Sequence, residues 1–166
     1  MLKHSTFLNA PNLDAALAEM ETNYFGTLSM CRAFAPVLGA NGGGAIVNML
    51  SLSSFRTSPF DASYGASKAA EWSLTNGVRL ELHHQGTLVV GVHASFIDTD
   101  MSALTNEPKD SPESVAQQAF DAVEAGQVEV LADERTRTVK AELSRDHELI
   151  YPPIQNFWDS ALKGSH

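Results

Sequence analysis

Apolar residues recur at helical spacing through Leu13, Leu17, Met20, Tyr24, Leu28, Cys31, Phe34 and Leu38. This pattern predicts one long helix over 13–38, with Asn12 as its cap. The run Ala45-Ile46-Val47-Asn48-Met49-Leu50 follows Asn41-Gly42-Gly43-Gly44 and reads as a buried strand entered through a turn. A second helix is predicted over 62–85, stopped by Gly86 after His83 and His84. Leu88-Val89-Val90-Gly91-Val92 is a second buried strand. Ser111-Pro112-Glu113 opens a third helix in the favoured order of cap then proline, and Gly126 closes it. Val128-Glu129-Val130-Leu131 is a third strand, followed by a polar-faced helix over 133–146 and a short tail helix from Tyr151-Pro152-Pro153.

Apolar strands alternating with helices imply right-handed crossovers and a parallel sheet covered on both faces, an α/β architecture. In such sheets ligands bind beyond the carboxyl ends of the strands. Ser51 lies just past the first strand, Tyr64 and Lys68 open the helix after it, and residues 94–99 follow the second strand. All three groups are placed on one edge of the sheet.

Composition narrows the class. The chain has 166 residues, 43% hydrophobic and 19% charged, enough for one domain with a buried core. Its net charge of −9 argues against an electrostatic nucleic-acid or anionic-membrane partner. The single cysteine, Cys31, excludes an intramolecular disulfide and a cysteine-rich metal site. No secretory leader or membrane-spanning run is legible, so a cytoplasmic protein is expected.

The chemistry concentrates in Tyr64-Gly65-Ala66-Ser67-Lys68. A tyrosine and a lysine four apart share a helix face. A phenol has a pKa near 10 and is a poor proton carrier at neutral pH, and a neighbouring ammonium favours the phenolate. Such a pair can move a proton on or off a carbonyl or alcohol oxygen. Alone it is also an ordinary solvent-facing helix pattern; its place beside Ser51 at the sheet edge gives it weight.

Other features carry less. Gly42-Gly43-Gly44 precedes a strand, whereas a phosphate loop follows one, so it reads as a turn. Gly65-Ala66-Ser67-Lys68-Ala69 lacks the last glycine of a nucleophile elbow. His83 and His84 are adjacent and face apart, and no metal site is expected.

Asn23-Tyr24-Phe25-Gly26, the strand leading to Ser51, Tyr64 with Lys68, and Ile97-Asp98-Thr99 stand in an order and spacing similar to the short-chain dehydrogenase/reductase family. The resemblance covers about residues 18–133 and implies a partial Rossmann-type doubly wound parallel sheet lacking its N-terminal strands. It implies that residues 1–166 are a truncated domain of that family, its catalytic half. The implied activity is NAD(P)-dependent hydride transfer between a nicotinamide cofactor and a carbonyl or alcohol substrate.

The resemblance assigns roles residue by residue. Tyr64 would be the general acid/base. Lys68 would hold the nicotinamide ribose and lower the tyrosine pKa. Ser51 would hydrogen-bond the reacting oxygen, and Asn23 would anchor a water relaying protons from Lys68. Asparagine and Gly26 are poor choices within a long helix, and such local rules tend to break at functional sites. Ile97 would offer backbone groups, and Thr99 its hydroxyl, to the carboxamide. Where the family carries Pro-Gly, this chain has Ala94-Ser95, so a less constrained loop is expected.

The family's glycine-rich dinucleotide turn is missing here, and with it the residue that selects NAD or NADP. Two readings follow: the catalytic half of an oxidoreductase, or a non-catalytic remnant that acts through homo-oligomerisation. The small residues Ala66, Ala69, Ala70 and Gly77 suit either helix-to-helix association or packing on the chain's own sheet. The chain alone is expected to bind little NAD(H) or NADP(H), and the substrate's identity is not legible.

Overall fold

A computed structural model describes residues 1–163. Three parallel strands, β1 (Gly44–Met49), β2 (Thr87–His93) and β3 (Glu129–Leu131), form a sheet in the order β1-β2-β3. Ile46 pairs with Val89, and Val92 with Val130. The crossover from β1 to β2 carries α3 (Ala62–Leu82), and that from β2 to β3 carries α4 (Pro112–Glu124).

β2 is central, and Val89, Val90 and Val92 are wholly buried. Because successive side chains point to opposite faces, the strand feeds two cores. Val90 and Val92 join Val115, Ala119 and Ala122 on one face. Val89 joins Cys31, Val78 and Leu82 on the other. The outer edge of β1 is unpaired among the described residues, and Val47 and Met49 are substantially exposed there.

The long first helix is present but not uniform. It runs as α1 (Asp14–Glu19), a seven-residue π segment (Met20–Gly26) and α2 (Thr27–Ala40). The irregular stretch coincides with Asn23 and Gly26, the residues that sequence propensity marks as misfits. π segments are rare and gather at functional sites. Here the altered winding buries Asn23, whose Nδ2 donates to Ser67 Oγ of α3 at 2.9 Å. The N-cap position is Leu13 rather than Asn12, because the helix begins at Asp14; Asn12 Oδ1 still accepts from the Asp14 amide at 3.0 Å.

Gly42, Gly43 and Gly44 all have positive φ and make the turn into β1. A Cβ on Gly43 would fall 2.5 Å from the Gly86 carbonyl oxygen, so two glycine turns touch there where no side chain fits. Beyond β3 the polar segment divides into α5 (Glu134–Glu142) and α6 (Asp146–Leu149), joined by a 3₁₀ turn, before the tail helix α7 (Tyr151–Lys163). That tail docks by its aromatics: the Phe60 ring lies 5.2 Å from those of both Phe157 and Trp158. Among the described residues no helix is long and apolar enough to cross a membrane.

Candidate active site

The ends of β1 and β2, the start of α3 and the segment after β2 surround a cavity of about 730 Å³. Ser51, Tyr64, Lys68, Ile97 and Thr99 all line it, whereas Asn23 lies behind it. The convergence predicted from the order of elements is therefore present.

Ser51 sits in an extended conformation and caps a 3₁₀ turn. Its Oγ accepts from the Ser53 amide at 3.1 Å, and its own amide donates to Ser54 Oγ at 3.2 Å. The Ser51 carbonyl lies 3.2 Å from His93 Nδ1, a spacing that places the imidazole proton on Nδ1. The serine turn is thus fixed on three sides.

Lys68 is buried, and its Nζ donates to the Met49 carbonyl at 2.8 Å and to Glu71 Oε2 at 2.6 Å. Glu71 accepts a further bond at its other oxygen, from Thr27 Oγ1 at 2.9 Å. This pairing overturns one expectation. Burial raises the Tyr64 pKa, and the carboxylates of Glu71, Asp61 and Glu19 add to that. A hydrogen bond with Ser51 opposes them without prevailing. The Lys68 ammonium is instead paired directly with Glu71, and the net direction for Tyr64 is upward. Tyr64 is consequently a protonated phenol at neutral pH, a state suited to giving a proton.

Asn23 Oδ1 accepts from the Met1 amine at 2.7 Å, and its Nδ2 donates to the Met1 carbonyl as well as to Ser67. The segment after β2 is also more constrained than Ala94-Ser95 suggested. The Ser95 amide donates to Asp133 Oδ2 at 2.8 Å, and a bridge joins Ile97 to Asp110. That bridge uses the Phe96 carbonyl and the Asp98 amide, leaving the Ile97 amide free of it. The Ile97 carbonyl accepts from Ser102 Oγ at 2.5 Å and from Thr99 Oγ1 at 3.3 Å. Asp133 and Ser102 supply the restraint that proline and glycine would have given.

Sequence reasoning missed Glu71, although its place three residues after Lys68 put it on the same helix face. It also missed His93. This wholly buried ring stacks on Phe55 with centroids 4.1 Å apart and meets Trp72 edge-on. Its Nε2 has no hydrogen-bond partner and lies 3.7 Å from Glu129, whose same oxygen accepts from Lys140 at 2.8 Å. Arg56 and Arg135 reach the cavity wall from distant parts of the chain, with no local pattern to announce them.

A parallel sheet carrying a half-buried tyrosine with a buried serine and lysine beyond its strand ends is a Rossmann-type fold of the dehydrogenase class. The chain belongs to the short chain dehydrogenase family, whose family model matches residues 3–110. A short chain dehydrogenase from Burkholderia cenocepacia, solved in complex with NADP, is 37% identical, with a TM-score of 0.87. That match covers 93% of this chain and 66% of the other. An uncharacterized oxidoreductase of Staphylococcus saprophyticus is 30% identical over 123 residues, 72% of this chain and 53% of that protein. A short chain dehydrogenase of Monascus purpureus is 35% identical over 94 residues, 57% of this chain and 32% of that protein. The chain thus spans about half or less of the length of these two sequence relatives.

Proposed function

We propose that these residues form the catalytic half of an NAD(P)-dependent oxidoreductase that interconverts a carbonyl and an alcohol, with Tyr64 as the general acid/base. The observation that carries this reading is the convergence of Tyr64, Ser51 and Lys68 on the wall of one cavity of enzyme-site size. Tyr64 gives its proton to the carbonyl oxygen in reduction and takes one from the hydroxyl in oxidation. Ser51 donates a hydrogen bond to the same oxygen and stabilises its developing charge. Asn23, bonded to Ser67 beside Lys68, has both Nδ2 hydrogens engaged, so a relay water would be held at the remaining acceptor capacity of its Oδ1, which the Met1 amine shares.

The residues present fit the nicotinamide end of a cofactor. Lys68 has three N–H groups, and Met49 and Glu71 take two, so one remains for a ribose hydroxyl. The free Ile97 amide and the Thr99 hydroxyl at the cavity lining suit a carboxamide. When bound, the cofactor supplies or accepts the hydride. The NADP in the Burkholderia relative supports the cofactor class, with NAD and NADP both open for this chain.

In a chain completed by a dinucleotide-binding half, Tyr64→Phe lowers turnover at least about 10²-fold and leaves cofactor affinity nearly unchanged. Undiminished turnover would remove Tyr64 from the mechanism.

A second reading, association without catalysis, is favoured by the outer face of α3. Ala66, Ala69 and Leu80 are exposed there, while Ser67, Lys68, Glu71 and Thr75 face the protein's own interior. Ala70 and Gly77 are half-buried, so Ala66 and Ala69 are the small residues open to a second copy, and we propose a homo-oligomer in the cytoplasm. Catalysis and association are compatible, and the Tyr64 variant tests only the first.

A further inference from the structure

The cavity's charged groups are not all accounted for by the proposed chemistry. Lys68 is paired with Glu71, and Asp61 Oδ2 accepts from Ser53 Oγ at 3.0 Å, while Asp61 Oδ1 is buried without a hydrogen bond among the described residues. Arg56 is different. It lies half-buried on the cavity wall, and no hydrogen bond or ion pair engages its guanidinium among the described residues. Burial holds its pKa below the usual arginine range; Asp61 offsets this in part and Arg135 adds to it.

Arg135, in the first turn of α5, reaches the same wall with its guanidinium 5.3 Å from the centre of the Phe96 ring. Its ion pair, 3.3 Å from Glu107, is exposed and of the kind that holds a side chain weakly. Two cations thus face one cavity against a single lining carboxylate, Asp61, which acts on Arg56 through space without a hydrogen bond or ion pair to it, so the pair keeps capacity for a further anion. A desolvated guanidinium is costly until an anion reaches it. Its planar fork accepts the two oxygens of a carboxylate together. The remaining wall includes Leu52, Met101 and Leu104, which suit a hydrocarbon body.

We propose that Arg56, assisted by Arg135, is an anion-recognition subsite that takes the carboxylate of an oxo-acid or hydroxy-acid substrate while its carbonyl or hydroxyl meets Ser51 and Tyr64. This rests on the oxidoreductase reading and adds the substrate class to it.

The test is calorimetric titration of the 166-residue protein with phenylpyruvate and with phenylacetone, the same skeleton without the carboxylate. Phenylpyruvate binds at least about tenfold more tightly, as one charge-assisted pair provides. Arg56→Gln brings the two ligands to within about twofold of each other, Arg56→Lys keeps part of the preference, and Arg135→Gln reduces it. Phenylpyruvate bound no more tightly than phenylacetone overturns the proposal. So does a preference that survives Arg56→Gln, or displacement of phenylpyruvate by equimolar inorganic phosphate. Should Arg56→Gln not fold, the parent protein's two titrations and the Arg135→Gln variant still decide. Neither cofactor nor turnover enters these measurements, so a failed anion site and failed Tyr64 chemistry are read separately.

Discussion

Acidification from pH 7 to pH 4 costs this fold about 3 kcal/mol at a single side chain, His93. The ring is wholly buried, and burial lowers its pKa from 6.5 to about 4. The hydrogen bond to the Ser51 carbonyl and the Glu129 carboxylate favour the charged ring; Lys140 and Lys68 disfavour it. Between pH 6.5 and about 4 the unfolded chain binds a proton that the folded chain refuses, so stability falls as pH falls. Each pH unit of that interval is worth about 1.4 kcal/mol, and the whole interval lowers Tm by roughly 6–12 °C for a domain of this size.

Urea unfolding at pH 7 and pH 4, followed by tryptophan fluorescence, measures the loss, and Trp72 beside His93 reports on the site. His93→Phe keeps a ring against Phe55 but removes both the titrating group and the bond to Ser51. The variant starts about 1 kcal/mol less stable at pH 7 and loses correspondingly less on acidification, since carboxylate titration is common to both proteins. Equal losses in parent and variant, or a His93 NMR resonance titrating near 6.5, would refute the reasoning.

Two further outcomes follow from the same neighbourhood. Glu71→Gln strands the Lys68 ammonium in the interior and costs about 3–5 kcal/mol; urea unfolding measures it, and a loss under about 1 kcal/mol would contradict the pairing. The Tyr64 pKa moves down in that variant as the lysine charge is uncovered, seen as phenolate absorbance appearing at lower pH than in the parent. The 166-residue chain itself shows no saturable binding of NADH or NADPH in calorimetry, because its groups meet only the nicotinamide end; a saturable isotherm with accompanying thermal stabilisation would overturn that.

The sequence by itself determined the alternation of strands and helices, their parallel pairing and the convergence of Ser51, Tyr64, Lys68, Ile97 and Thr99. Each depends on chain order and local periodicity. Local misfit even marked the π segment, since Asn23 and Gly26 resist a regular helix. Tertiary structure alone decided the electrostatics. Whether Lys68 lowers the Tyr64 pKa depends on where its charge is balanced, and Glu71, Thr27 and the Met49 carbonyl settle that from three elements. The same holds for His93, which a strand pattern treats as a polar ending and the fold seals between Phe55, Trp72 and Glu129. Arg56 and Arg135 have no shared motif, and only folding brings an unpaired guanidinium and a weakly paired one to one cavity. Periodicity fixes which way a residue points; its protonation and partners depend on what the rest of the chain places against it.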